Sequence, residues 1–304
     1  MALMFADDTK VYQEIRSEED IAAIQRDLGR LEEWSSKWLL LFHPGKCKVL
    51  TLGDTEKLVR PRAGRYELHE TILEHEFEEK DLGVIIDNHM KFDVHIEEKI
   101  KKANTMLGMI QRSFSYLNKQ VFLPLYKALV RHYVESGAIL WSGIISRSQV
   151  RALEKVQMRA LNMIQGMDKL TYEEQLQELK LPSLAARRSR GMMIEMWKHH
   201  HVYDKDILTP SFQTGQSARR PLDCRRFAAK GLHAKTFYSI AATVWNRLPY
   251  DIRHKETINS FKSAIDSYWS QNLPQIHNYL SDPPWKTEDT DDRQVIISEI
   301  PRLA

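Results

Sequence analysis

The stretch Met1-Ala-Leu-Met-Phe-Ala-Asp-Asp-Thr-Lys-Val-Tyr12 reads as strand, tight turn, strand. Leu3 to Ala6 are apolar, Asp7 and Asp8 follow, and Val11 and Tyr12 resume a strand-forming run. An Asp-Asp dipeptide is good turn chemistry, because its short side chains tolerate tight-turn backbone and accept hydrogen bonds locally. Two adjacent carboxylates also repel each other, more so when desolvated, and a cation relieves the repulsion. The pair is therefore either a solvated turn or a site for a divalent ion. Mg²⁺ takes hard oxygen ligands and is commonly held by one or two carboxylates plus substrate phosphates. Two such ions at one site stabilise the attacking and leaving oxygens of an in-line displacement. On the second reading, Asp7 and Asp8 are metal ligands of a phosphoryl-transfer centre.

A helix is predicted after the hairpin. Ser17 and Asp20 have capping-box spacing, and Ile21, Ile24, Leu28, Leu31 and Trp38 keep helical period. His43-Pro44-Gly45 ends it, and "KCKVLTLG" (46–53) reads as a strand. Residues 53–65 form a charged loop. Residues 66–87 read as two short strands and a third over Leu82–Ile86. Beyond Phe92 the pattern is helical. Ile96, Ile100, Ala103, Leu107, Ile110, Phe114 and Leu117 mark one stripe. Further helices are predicted over 121–141, 148–165, a short segment capped by Thr171 and Glu174, 183–203, 237–248 and 257–272. Residues 209–236 read as a basic loop, and the end of the chain as an acidic tail.

The fold class is thus α+β: a small antiparallel β portion with one helix over residues 1–90, then a mainly helical part. The helical part divides into 91–205 and a C-terminal region, 206–304, of basic linker, helices and acidic tail. With 304 residues, 42% of them hydrophobic, the chain can build such cores. No apolar run reaches the ~18 residues of a membrane span. Cys47 and Cys224 are far apart and in no C-x-x-C pair, which excludes a disulfide scaffold and a cysteine zinc site. The expected location is intracellular, nucleus and/or cytoplasm. No obligate protein partner is inferred.

Charge is unevenly distributed. Residues 1–100 hold 14 Lys+Arg against 22 Asp+Glu, residues 101–150 hold seven against one, and residues 151–235 hold 16 against nine. A cationic middle between acidic ends suits a polyanion; solvated helix faces are the plain alternative. Lys99, Lys101, Lys102 and Arg112, with Arg187, Arg188 and Arg190, are the candidate phosphate contacts. His199, His200 and His201 point about 100° apart along a helix and cannot share one ion, so they read as a solvated helix end. Trp141, Trp197, Trp245 and Trp269 sit on apolar stripes and read as core.

Phe5-Ala6-Asp7-Asp8-Thr9 resembles the catalytic run of reverse transcriptases of the non-LTR, LINE-type retrotransposons. The likeness continues through "LEEWSSKWLLLFHPGKCKVLTLG", "KDLGVIID", "LYKALVRHYVESGAILW", "LEKVQMRALNMIQG" and "VWNRLPYDI". What the resemblance implies is an RNA-directed DNA polymerase using Mg²⁺, with an RNA template and an RNA–DNA duplex as partners. Residues 1–90 would be the end of its palm and the following helices its thumb. Asp7 would be the direct metal ligand, Asp8 its support, and Lys46 would lie near the phosphates of the incoming nucleotide. Phe5 stands where many relatives carry tyrosine. The first catalytic aspartate and the fingers lie upstream of the Asp-Asp motif in that family and are absent here. The expectation is a C-terminal portion that does not polymerise alone. The alternative is a non-catalytic RNA/DNA-binding helical module over 91–235.

Overall fold

The computed structural model describes residues 2–5, 8–53, 65–203, 237–246 and 248–272. Asp7, most of the loop expected over 53–65, the basic segment 209–236 and the acidic tail lie outside the described residues. The chain divides into two compact units, Met1–Met90 and Lys91–Ala304.

In the first unit, β1 (Ala2–Phe5) and β2 (Asp8–Val11) pair antiparallel, Phe5 opposite Asp8 and Ala2 opposite Val11. Helix α1 (Glu18–Trp38) follows. The carboxylate of Asp20 accepts from the amides of Arg16 at 2.8 Å and Ser17 at 2.9 Å. These bonds satisfy two donors ahead of the first turn. The same bonds, the Arg16 amide first, hold the Asp20 carboxyl below its usual range. Ile21, Ile24 and Leu28 pack on Tyr66, Leu68 and Leu73, joined by Phe42, Cys47 and Val49. The Gln25 side chain pins α1 further, donating to the Glu67 carbonyl at 2.9 Å and accepting from its amide at 3.0 Å.

The expected apolar stripe of α1 does not extend to its end. Trp38 is 60% exposed, and Leu39, Leu40 and Leu41 beyond it are exposed as well. Leu39 takes a left-handed backbone, φ 56°. This swings the chain out of the helix before the core can receive these residues.

The strands that follow differ from the sequence reading. β3 (Lys48–Leu50) runs parallel to β6 (Glu74–Glu76), where the sequence pattern favours an antiparallel sheet. The long connection between them permits the crossover that a parallel pair requires. β4 (Glu67–Leu68) and β5 (Thr71–Ile72) form one tight hairpin. β7 (Glu78–Asp81) and β8 (Val84–Asp87) form another, turning at Leu82-Gly83. Both turn residues have positive φ, which costs Gly83 nothing and strains Leu82.

Among its described residues the second unit is built from helices and their connections, with no strand. Helix α2 (Asp93–Ser113) buries Ile96, Ala103, Leu107 and Ile110, the spacing of one stripe. The helix expected over 121–141 is broken into α3 (Lys119–Leu125), a π turn (Tyr126–Val130), α4 (Arg131–Glu135) and α5 (Ala138–Trp141). Pro124 lacks an amide and loosens the winding just before the π turn. Gly137, at φ 65°, makes the bend before α5. Helix α6 (Arg147–Leu161), α7 (Tyr172–Glu178) and α8 (Leu184–His201) follow. The capping box of α7 is Thr171 with Glu174, as the spacing predicts. Helices α9 (Phe237–Trp245), α10 (Tyr250–Arg253) and α11 (Ile258–Asn272) complete the unit. Met193, Met196 and Trp197 of α8 share one core with Trp245, Ile252, Phe261 and Ile265, so α8 and the C-terminal helices are one packed body.

A buried polar cluster locks α6, α7 and α8 together. The fully buried Glu154 accepts from the Tyr172 hydroxyl at 2.8 Å and from the amides of Leu184 at 3.2 Å and Ala185 at 2.6 Å. A carboxylate at the start of α8 meets the positive end of that helix and two amides otherwise without partners. Gln157 accepts from the Tyr126 hydroxyl at 2.6 Å and donates to that of Tyr172 at 3.0 Å. Burial pushes the Tyr126 and Tyr172 phenols far up, so both stay protonated and able to donate.

Candidate carboxylate hairpin and nucleic-acid interface

The pairing of Phe5 with Asp8 leaves two residues, Ala6 and Asp7, to close the β1–β2 hairpin. Asp8 is thus the first residue of β2, and its side chain is exposed. Lys10, two residues along the same strand, pairs with Asp81 of β7 at 2.5 Å and ties the hairpin to the β7–β8 pair. Lys46 ends a short 3₁₀ turn (Pro44–Lys46) and is exposed; its amide donates to the His43 carbonyl at 2.9 Å.

Among the described residues, no group of three or more His, Cys, Asp or Glu side chains is arranged to hold a metal ion. Asp8 offers hard oxygen donors but without the companion ligands Mg²⁺ needs. The described residues therefore do not make up a Mg²⁺ site.

The candidate cations fall into two groups. On α2, Lys101 and Arg112 are exposed, Lys99 is half-buried, and Lys102 pairs with Glu98 one turn away. On α8, all three arginines are engaged inside the fold. Arg187 makes a two-pronged pair with Glu135 of α4. Arg190 makes another with Asp266 of α11, at 2.7 and 2.8 Å. Hydrogen bonding to that carboxylate raises the Arg190 pKa. Arg188 is only 6% exposed and lies 5.8 Å over the Trp141 ring, a cation–π placement. Burial lowers its pKa, while Glu154 and Glu135 nearby favour its charge. Sequence spacing places the three arginines on one helix but cannot reveal Glu135 and Asp266, which lie 52 and 76 residues away.

The histidine run closes α8 and its last member, His201, is exposed, as a solvated helix end would be, but His199 and His200 are half-buried. His201 stacks on Trp197 at 4.5 Å and His200 on Trp245 at 5.0 Å. His199 sits edge-on to Tyr203, and burial lowers its pKa. These imidazoles act as aromatic packing. The tryptophans are core as read: Trp141, Trp197 and Trp245 are buried, and Trp269 packs against the α8–α11 core.

A further cationic row lies outside the residues singled out from sequence. Arg151, Lys155 and Arg159 recur every fourth residue along α6, and all three are exposed. That spacing is itself the signal, since residues four apart share a helix face.

Over 151 residues, the chain is 29% identical to the RNA-directed DNA polymerase from mobile element jockey of Drosophila funebris. The match covers 47% of this chain and 16% of that polymerase, so the chain spans a small part of its relative's length. The similarity supports a reverse-transcriptase-like relationship. No family model matches the chain, and no solved structure gives a significant match. Among the described residues, no helix is long and apolar enough to cross a membrane.

Proposed function

We propose that this chain is the end-of-palm and thumb portion of a non-LTR retrotransposon reverse transcriptase. In this reading its helical unit binds RNA template and RNA–DNA duplex, inside the cell, in the nucleus and/or cytoplasm. The observation that carries the reading is the identity shared with the jockey polymerase over 151 residues. The antiparallel pairing of Phe5 with Asp8 supports it, since it sets the exposed Asp8 at the start of β2, where Mg²⁺ and phosphate can approach. Asp7 and Asp8 are the proposed metal-facing pair and Lys46 the proposed phosphate contact.

In this reading the chain binds nucleic acid without extending it. If binding is all that remains, the chain works as a non-catalytic module. Electrostatic contacts to phosphate need no divalent ion, so duplex binding persists in EDTA and in Asp8→Asn. Lys101→Glu with Lys102→Glu weakens it. Primer extension on an RNA template, with Mg²⁺ or Mn²⁺, yields no product; extension abolished by Asp7→Ala would overturn the non-polymerising assignment. Failure of the unaltered chain to bind an RNA–DNA duplex would overturn the whole reading.

A further inference from the structure

We propose that the outer edge of β7 is a docking edge for an extended, cationic segment of a partner protein, which joins the β7–β8 hairpin as a third strand. The hydrogen bonding of the hairpin fixes which main-chain groups look outward. The Asn88 amide donates to the Phe77 carbonyl at 2.8 Å, and antiparallel pairs alternate between bonded and non-bonded. Phe77, Glu79 and Asp81 therefore turn their amides and carbonyls toward β8. Glu78 and Lys80, opposite Asp87 and Ile85, turn theirs away. Among the described residues, β7 has no hydrogen-bonded neighbour strand besides β8, and the outward groups of Glu78 and Lys80 have no main-chain partner.

The neighbouring strands lie on the other flank. β6, which leads into β7, is paired with β3. The Gly53 amide, just past β3, donates to the Asn88 carbonyl, just past β8, at 2.9 Å. β3 and β8 thus meet along one flank of the β6–β7 segment and leave the other open. Exposure agrees. A strand packed on one face alternates between buried and exposed residues. Glu78, Glu79 and Lys80 are all exposed, and Phe77 ahead of them is 80% exposed.

An open edge is a template for another strand, and the side chains along it choose which. Residues 67–81 hold seven Asp+Glu against one Lys+Arg. Three of these carboxylates are met from within the fold: Lys48 bridges Glu74 and Glu76, and Lys10 reaches Asp81. Glu78 and Glu79 make no ion pair among the described residues, and the register sets Glu78 directly across from Asp87. Like charges directly opposite destabilise a strand pair, so a cation supplied from outside gains there. A second copy of this edge brings acids against acids, and phosphate is repelled by it, so neither self-pairing nor nucleic acid fits. Lysine or arginine at alternate positions of an incoming strand lies beside Glu78, and an apolar residue next to it can cover Phe77. Main-chain bonds then supply affinity and side-chain charge supplies choice. A third strand also supports a hairpin that is marginal as a pair.

The test is fluorescence-anisotropy titration of the full chain into a short labelled peptide of alternating lysine and valine, at low salt, where charge is least screened. Binding is expected. Lys80→Pro should weaken it about tenfold, because proline removes one outward amide and is tolerated where that N–H faces solvent. Two further peptides carry backbone N-methyl groups on one or the other alternate set of residues. One of them should lose affinity and the other keep it, since a strand turns only every second residue toward its neighbour. Glu78→Lys should also weaken binding, whereas Glu97→Lys, at an exposed acid of α2, should not. Circular dichroism checks that the variants fold; if Lys80→Pro unfolds the chain, the methylated peptides decide the matter on the unaltered protein. No binding by the unaltered chain, equal binding of both methylated peptides, or full affinity in a folded Lys80→Pro would overturn the docking edge. An equal loss in Glu97→Lys would overturn its location. Self-association abolished by Lys80→Pro would make a second copy the occupant and overturn the cationic partner.

Discussion

The two compact units solve the problem of a core very differently. In the second, buried residues recur on every helix from α2 to α8, and a buried polar cluster with matched donors and acceptors ties three of those helices together. In the first, the sheet is cut into two-stranded pairs, and the tight cluster is three buried residues, Tyr66, Leu68 and Leu73, leaning on half-buried partners. A two-stranded pair is marginal by itself in water. The proposed metal-facing residues and the proposed nucleic-acid contacts therefore sit on frameworks of unequal strength. The Asp-Asp hairpin rests on the thin one and the cationic face of α6 on the robust one.

The strongest way to attack the robust unit is Glu154→Ala. It strands the Tyr172 hydroxyl and two α8 amides and removes one of the two carboxylates that favour the charge of the buried Arg188, and should cost about 3–5 kcal/mol in urea unfolding. A loss below about 1 kcal/mol would mean that the cluster contributes no more than an ordinary hydrogen bond and that the contrast between units is overstated. Next comes Phe122→Ala, expected to cost about 3–5 kcal/mol by leaving a cavity, against about 1 kcal/mol for Leu28→Val on the half-buried face of α1. Similar losses at the two sites would erase the distinction.

Acid separates the units further. His95 is fully buried in α2, and burial lowers its pKa, as it does for His199. A depressed imidazole pKa means the unfolded chain binds more protons, so this stability is complete above the unfolded value of about 6.5. It is lost as pH falls from there through the folded pKa. Unfolding midpoints followed by tryptophan fluorescence should drop on acidification, and less steeply in His95→Gln; an identical pH profile in that variant would remove His95 from the account. The smallest effect belongs to Asp20→Ala, which removes the first-turn acceptor of the Arg16 and Ser17 amides ahead of α1. About 0.5–1 kcal/mol of local stability is expected to go, visible as faster amide exchange in the first turn of α1 and nowhere in α6.

Some of this is legible in sequence for definite reasons. The α2 stripe can be read from Ile96 to Ile110 because its apolar spacing is regular; Phe114 and Leu117, read as its continuation, fall past the end of the helix at Ser113, and Phe114 is exposed. The Ser17–Asp20 and Thr171–Glu174 signals work because capping is settled within four residues. The break at Ser136-Gly137 is hidden because apolar residues continue through it, and the π turn because its cause, Pro124, sits inside an otherwise good helical pattern. Residues 66–87 suggest fewer strands than they form, since segments of two to four residues barely show an alternation. At the candidate interface, the arginine cluster on α8 is visible but its carboxylate partners are not, for those come from distant segments. The row on α6 needs only a count of four, yet it is spread among apolar core positions and makes no run.

The exposed end of α1 carries a practical consequence. Trp38 and Leu39 to Leu41 form a greasy knob on the less stable unit, an invitation to self-association as concentration rises. Purified protein should stay monodisperse only when dilute or with a mild detergent present, and Leu40→Lys with Leu41→Ser should extend the workable range without touching either the hairpin or the cationic helices.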